Sequence, residues 1–389
     1  MTETGTQLAV SYVLILLFSF LMNINYSNTS YSDKLDTLIL KDSARILRDS
    51  LKWYDVSQMS KSGRIANTAI EPYLRLPDTM KVLVTKEVWD LAMNTAGMYL
   101  EFQSNAGKIQ VIYQIEGEVS MNHMAATGVS GIDLYYKSEN GSWNWLKGNY
   151  QFADTIRYTY NNIKPTNIID GYYRLYLPLY SKLKWMRIGV AEKDIFYSAE
   201  KHVEKPIIIY GTSIVQGACA SRPGMAWPSI LSREIDRDII NLGFSGNGKL
   251  EKSMIEMIAN QEAGAFILDC MPNLVDLASD TLLVKKRIIS SVLKIREKQS
   301  KVPIILVEHS GYSQAILQDG YNSTYTNLNL ATKMAYKDLL NLDLSSIYII
   351  TKENLNLNMD CYVDGTHPND IGMKRYATVL GDLLLDIQN

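Results

Sequence analysis

Two short segments in the C-terminal half carry residues that could act together on a carbonyl group. Gly211-Thr212-Ser213-Ile214 follows an apolar run and offers a hydroxyl nucleophile. Asp364-Gly365-Thr366-His367-Pro368-Asn369 places a carboxylate three residues before an imidazole. In a turn, that spacing lets the carboxylate accept from one ring nitrogen while the other faces a nucleophile, which is the arrangement acyl transfer needs. Neither segment decides the matter alone. A serine in such a turn also reads as a helix cap, and DGTHPN also reads as a turn held by a capping aspartate. Of the four histidines, His123, His202, His309 and His367, the last is the one with a carboxylate at this spacing.

Two more segments offer donors for a developing oxyanion. Asn241 to Gly248 (NLGFSGNG) is glycine-rich, and missing side chains let a backbone N–H approach a substrate oxygen. Asp269-Cys270-Met271-Pro272-Asn273 adds the Asn273 amide. Glycine-rich loops and asparagine turns are common, so it is their order with the other two segments that carries weight.

These segments need a scaffold that brings them to one edge. After Lys205-Pro206, the runs PIIIYG (206–211), DIINLG (238–243), AFILDC (265–270), VPIILVE (302–308) and SSIYII (345–350) are apolar without alternation. Strands buried on both faces of a parallel sheet read this way. Charged segments with helical spacing separate them, among them WPSILSREID and LLVKKRIISSVLKIREKQ. The expectation is a three-layer α/β/α domain, flavodoxin-like, with a parallel sheet. Ligands bind outside the carboxyl ends of such strands, where the segments above fall.

The preceding region, about 50–200, alternates with period two and is rich in Tyr, Trp, Val and Ile. KVLVTKEVW (81–89), MYLEFQ (98–103), KIQVIYQIEG (108–117), GIDLYYK (131–137) and YYRLYLPLY (172–180) read as strands of an antiparallel β-sandwich or jelly roll. The chain thus divides into 1–25, an export signal; 26–49, an extension; 50–200, the sandwich; and 205–389, the α/β domain. The apolar run Leu8 to Met22 is shorter than the roughly 20 residues of a spanning helix and fits a signal h-region, although no Lys or Arg precedes it. A retained anchor and a buried helix are the other readings. The export reading implies a secreted or periplasmic protein with no stable membrane partner.

Composition narrows the partners. The 39 basic and 41 acidic residues leave a formal charge of -2, which gives no field for nucleic acid. Three cysteines, Cys219, Cys270 and Cys361, cannot all pair, show no Cys/His zinc spacing, and read as small buried hydrophobes. No metal or cofactor is expected.

The four segments together resemble the signature blocks of the SGNH (GDSL-like) hydrolase superfamily, with GTS for the usual GDS and MPN for the usual GxND. The resemblance implies Ser213 as nucleophile, His367 as base, Asp364 as the group orienting it, and an oxyanion hole of the Ser213 and Gly246 backbone N–H groups with the Asn273 amide. The stretch Met121 to Tyr135, with Gly131-Ile132-Asp133-Leu134-Tyr135, resembles the GxDLY domain that precedes such domains in bacterial carbohydrate esterases. What it implies is a serine esterase acting on carbohydrate, and the small residues after the serine, among them Gly217, Ala218 and Ala220, suggest a short acyl group such as acetyl. A lipase or thioesterase of the same chemistry and an inactive carbohydrate-binding protein are the alternatives. Around the serine, Gly217 and Arg222 are expected to line the substrate pocket, with Arg222 equally readable as a surface residue. Trp143 and Trp145, two apart on a strand, share a face suited to stacking on a sugar or to core packing. His123 is expected to support the domain interface.

Overall fold

The computed structural model describes residues 50–65, 71–164, 171–199 and 204–388. The expected export signal (1–25), the extension (26–49) and His202 lie outside the described residues. The described residues from 53 onward form one compact unit.

The N-terminal part is a sandwich of two five-stranded antiparallel sheets. Its strands are β1 (Leu51–Asp55), β2 (Tyr99–Ser104), β3 (Ile109–Glu116), β4 (Asp133–Lys137), β5 (Trp143–Leu146), β6 (Asn149–Gln151), β7 (Ile156–Tyr160), β8 (Tyr172–Tyr176), β9 (Lys182–Ala191) and β10 (Phe196–Ser198). One sheet runs β1-β9-β3-β7-β6 and the other β10-β2-β8-β4-β5. Alternation decides what goes inside: Ile109, Val111 and Tyr113 of β3 meet Leu100, Phe102, Leu134 and Leu175 of the facing sheet in one core.

One expected strand is not a strand. Residues 81–89 instead form the end of a 3-10 turn (Asp78–Val82) and the start of α1 (Lys86–Ala92). Thr85 caps the helix, its hydroxyl accepting from Val88 N–H at 3.3 Å. The alternation misled because Val82 and Leu83 face solvent, whereas Val88 and Ala92, four apart on one helix face, are buried. They pack with Leu74, Leu76 and Met80 into the α/β core rather than that of the sandwich.

The short α2 (Ala126–Val129) lies between β3 and β4. Beyond β10, the strands β11 (Ile207–Gly211), β12 (Ile239–Gly243), β13 (Ala265–Asp269), β14 (Ile304–Val307) and β15 (Ile347–Ile350) form a parallel sheet in the order β12-β11-β13-β14-β15. This is the flavodoxin-like order. The intervening helices are α3 (Ser213–Gln216), α4 (Trp227–Glu234), α5 (Lys252–Ala259), α6 (Thr281–Arg296), α7 (Asp319–Asn341), α8 (Lys352–Leu355) and α9 (Asp370–Gln388). Residues of α4 and α9 share one core with the sheet, and those of α5, α6 and α7 share the other, which gives three layers.

The sandwich and the sheet are joined through polar side chains. Arg174 of β8, fully buried, donates through Nε to Glu101 Oε1 at 2.8 Å and through Nη1 to Ser232 Oγ of α4 at 3.0 Å. Its guanidinium lies 4.3 Å from the Tyr99 ring centroid and 4.5 Å from that of Trp143. From the loop before α1, buried Arg75 donates to the carbonyls of Asn241 and Gly243 at 2.9 Å each, fixing the carboxyl end of β12.

Candidate active site

β11 ends at Gly211 and turns at once into the one-turn helix α3, of which Ser213 is the first residue. The cap is Thr212: its Oγ1 accepts from Ile214 N–H at 3.3 Å. Ser213 is therefore relieved of capping, and its Oγ lies 2.9 Å from His367 Nε2. His367 Nδ1 lies 2.7 Å from Asp364 Oδ2.

Both readings of DGTHPN are realised in Asp364. Its Oδ1 accepts from the backbone N–H of Thr366 at 3.1 Å and of His367 at 2.8 Å, closing the turn, while Oδ2 faces the ring. Burial pushes the Asp364 carboxyl up, but the hydrogen bonds from the His367 backbone and ring and from Thr366 outweigh it and hold it below the ordinary 3.8. An ionised carboxylate at Nδ1 keeps the proton there and turns the Nε2 lone pair toward Ser213, a tautomer assigned from the bonding pattern. Ser213 is only 7% exposed and the His367 side chain 21%, so the pair is sheltered yet reachable.

The loops after β12 and β13 flank this relay. Phe244 to Asn247 form a β-turn closed by Asn247 N–H to the Phe244 carbonyl at 2.9 Å, with Gly246 at φ +69°. That left-handed conformation favours glycine. Ser245 N–H donates to Gln216 Oε1 of α3 at 2.9 Å, and Phe244 N–H to the Gly211 carbonyl at 3.0 Å. Asn273 ends the short turn after β13 and donates its side-chain amide to the Asn247 carbonyl at 2.6 Å, joining the two loops. An amide carries two N–H groups, so one remains beyond that bond. A hydroxyl, an oriented base and nearby backbone and amide donors are the parts required for acyl transfer.

Comparisons with known proteins address the family and the fold. Residues 204–384 match the GDSL-like lipase/acylhydrolase family, and residues 51–196 match the GxDLY family, described as the N-terminus of SGNH-hydrolase-type esterases. The chain thus carries a GxDLY domain followed by a GDSL-like lipase/acylhydrolase domain. A protein from Bacteroides ovatus described as a GDSL-like lipase is 28% identical, with a TM-score of 0.79, over 87% of this chain and 98% of that one. The salicylyl acyltransferase SsfX3 of a tetracycline biosynthetic pathway shares the fold at 17% identity and a TM-score of 0.68, again over 87% and 98%. The acetyl xylan esterase Est2A of the rumen bacterium Butyrivibrio proteoclasticus shares it at 11% and 0.52, over 87% and 99%. No curated protein matches the sequence.

Within the GxDLY domain the motif itself is a latch. Asp133 Oδ2 accepts from Arg222 Nη1 at 2.8 Å and from Gly224 N–H at 2.8 Å, and Oδ1 accepts from Trp145 Nε1 at 2.9 Å. Tyr135 Oη accepts from Arg222 Nη1 at 2.7 Å. The motif thereby holds the loop that follows the α3 serine. A Cβ on Gly131 would lie 2.3 Å from the Thr127 carbonyl, which is why that position is glycine.

The four residues expected against substrate each also pack or bond within the chain. Arg222 spends its guanidinium on Asp133 and Tyr135 and stacks 4.3 Å from the Trp145 ring centroid. Trp145 is half exposed, held by Asp133, and lines a small cavity with Arg222 and Tyr150, whereas Trp143 packs over Arg174 at the junction. Gly217, at φ +106°, ends α3 beneath Ala226 and Leu179.

Sequence reasoning left one residue too far from the site. His123, in the sandwich loop ahead of α2, has its ring centroid 5.9 Å from that of His367, at 28° between planes. It has no carboxylate at the spacing that singled out His367, and only folding brings the two loops together.

Proposed function

We propose that the chain is an exported serine esterase that removes short acyl groups, acetyl foremost, from carbohydrate. The observation that carries the reading is the relay from Ser213 Oγ through His367 to Asp364 at the carboxyl end of the sheet. Ser213 attacks the ester carbonyl while His367 takes its proton, and Asp364 steadies the imidazolium that forms. The oxyanion is received by the Ser213 and Gly246 backbone N–H groups and the second N–H of Asn273. His367 returns the proton to the leaving alcohol, and water then releases the acyl group from Ser213 through the same base.

Small residues that follow the serine in sequence, Gly217, Ala218 and Ala220, favour a short acyl group. The wider fold, shared with carbohydrate esterases, agrees with a glycan as the alcohol. Ser213→Ala should lower kcat on an aryl acetate by about 10⁶-fold, the scale of losing a triad serine. A variant keeping even a few per cent of the activity removes Ser213 from its role. Turnover compared from acetate to octanoate esters tests acyl length, and a maximum at octanoate would favour the lipase reading. Acetate release across acetylated polysaccharides tests the glycan, and labelling by a serine-reactive phosphonate separates an enzyme from an inactive binding protein.

A further inference from the structure

We propose that the active-site cleft also binds a thiophilic divalent cation, zinc being the natural one, through His123, Cys219, Asp364 and His367, and that the bound cation shuts the enzyme off. One ligand atom from each of the four lies within 4.8 Å of the other three. They come from three separate segments: the sandwich loop ahead of α2, the loop after α3, and the turn before α9. Two imidazoles, a thiol and a carboxylate are a donor set that suits zinc. Zinc bonds of roughly 2.0 to 2.3 Å require the donors to close in around the ion. His123 is exposed, and its ring can turn inward to do so.

Cys219 occupies an unusual backbone position within this cluster. It sits at φ +67°, a left-handed conformation that disfavours any residue with a Cβ and that glycine adopts without strain. Its Sγ is held 3.6 Å from the His123 carbonyl oxygen, which joins the thiol to the histidine's own loop. A thiol is thus kept where the backbone would prefer none, beside the base of the reaction.

The consequence for activity rests on the esterase reading. Whichever ring nitrogen of His367 holds the cation, the relay is broken: at Nε2 the ion takes the lone pair that receives the Ser213 proton, and at Nδ1 it displaces the Asp364 contact. Binding forms bonds from the ion to two neutral imidazoles, a carboxylate and a thiolate. The Cys219 proton leaves to solvent, and nothing is oxidised or reduced. Magnesium and calcium prefer oxygen ligands and should not substitute.

The test uses the full chain in metal-free buffer. Cadmium should raise a thiolate-to-metal charge-transfer absorbance at one ion per chain, and zinc should inhibit aryl acetate hydrolysis reversibly, with full recovery on adding EDTA. Cys219→Ser should abolish the absorbance. Cys219→Ser and His123→Ala should each weaken the cation at least by the roughly 10- to 100-fold seen on losing a ligand's supporting partner. His123→Ala changes an exposed side chain and carries the test even if the cysteine variant folds poorly. A wild-type chain with no charge-transfer band, or one inhibited by zinc no more than both variants, overturns the proposal. A chain that binds cadmium through Cys219 yet hydrolyses no ester keeps the cation site and loses the esterase reading. One that hydrolyses esters and ignores zinc does the reverse.

Discussion

Polar side chains gather in two regions of this protein, and the way each region leaves its groups bonded separates chemistry from architecture. At the carboxyl end of the parallel sheet, the relay of Asp364, His367 and Ser213 ends in a hydroxyl with access to solvent. At the junction, Arg174, Glu101 and Tyr176, and beside them Asp133, Arg222 and Tyr135, form networks that close on themselves across the two halves. A relay ending in an open reactive group can act on another molecule. A closed network holds the loops that carry the relay. Substitutions in the first region should therefore change rate and spare the fold, and those in the second should do the opposite.

The largest expected effect lies in the relay. Asp364→Asn keeps the size of the side chain but favours the wrong imidazole tautomer, and should lower kcat by about 10⁴-fold. Its thermal midpoint should stay close to that of the parent. A midpoint that collapses with the activity would mean that Asp364 serves the turn more than the ring, and the comparison would fail at its clearest point.

Next in size is the junction. Arg174→Met removes the cation paired with Glu101 in the buried junction and should cost about 3 to 5 kcal/mol of stability, read by urea unfolding. Adding Glu101→Leu should recover most of that loss, because replacing both members of a buried pair with apolar groups removes the uncompensated charge. The folded fraction of either variant should keep its kcat. A folded Arg174→Met with lost turnover would place the junction within the catalytic machinery.

Asp269, the last residue of β13, lies at the carboxyl end of the sheet outside the relay. Both its oxygens lack a hydrogen-bond partner among the described residues, and burial pushes the carboxyl from the ordinary 3.8 up to about 7. A folded-state value above the unfolded one means that the group's contribution to stability is fully present below pH 4 and is lost as pH rises through about 7. At 1.36 kcal/mol per unit, the loss approaches about 4 kcal/mol above pH 7. Asp269→Asn should therefore raise the thermal midpoint at pH 8 and leave it nearly unchanged at pH 4. Equal midpoints at pH 8 would show that the carboxylate finds a partner.

Much of this arrangement is legible in the sequence, and the illegible parts have physical causes. The five parallel strands announce themselves as unbroken apolar runs because both faces of that sheet are covered, and β2, β3 and β4 by alternation because one face meets the sandwich core. Residues 81–89 alternate as well, yet fold as helix, since Thr85 caps a segment whose Val88 and Ala92 are wanted by the α/β core. Asp364 and His367 are readable because they are local, three residues apart. Arg222 and Trp145 were not, because their partner Asp133 lies 89 and 12 residues away, and an arginine near a serine looks the same whether it awaits substrate or holds a strand. His123 and Cys219 meet Asp364 and His367 only after three loops have been brought together.

Trp145 gives the smallest effect and the finest discrimination between the two regions. It is 45% exposed, as a sugar platform would be, yet its Nε1 donates to Asp133. Trp145→Phe keeps an aromatic face and deletes only that bond to a carboxylate, worth about 1 to 3 kcal/mol and nearer the lower figure here because Arg222 and Gly224 still hold Asp133. As part of the latch, it should lower the thermal midpoint by a few degrees and leave KM on an acetylated oligosaccharide unchanged. Trp145→Ala then removes the ring as well, taking away the surface against which Arg222 stacks at 4.3 Å, and should lower stability further, still without a rise in KM. A KM that rises for the alanine but not the phenylalanine variant, at equal stability, would assign the ring to substrate and return Trp145 to the first region.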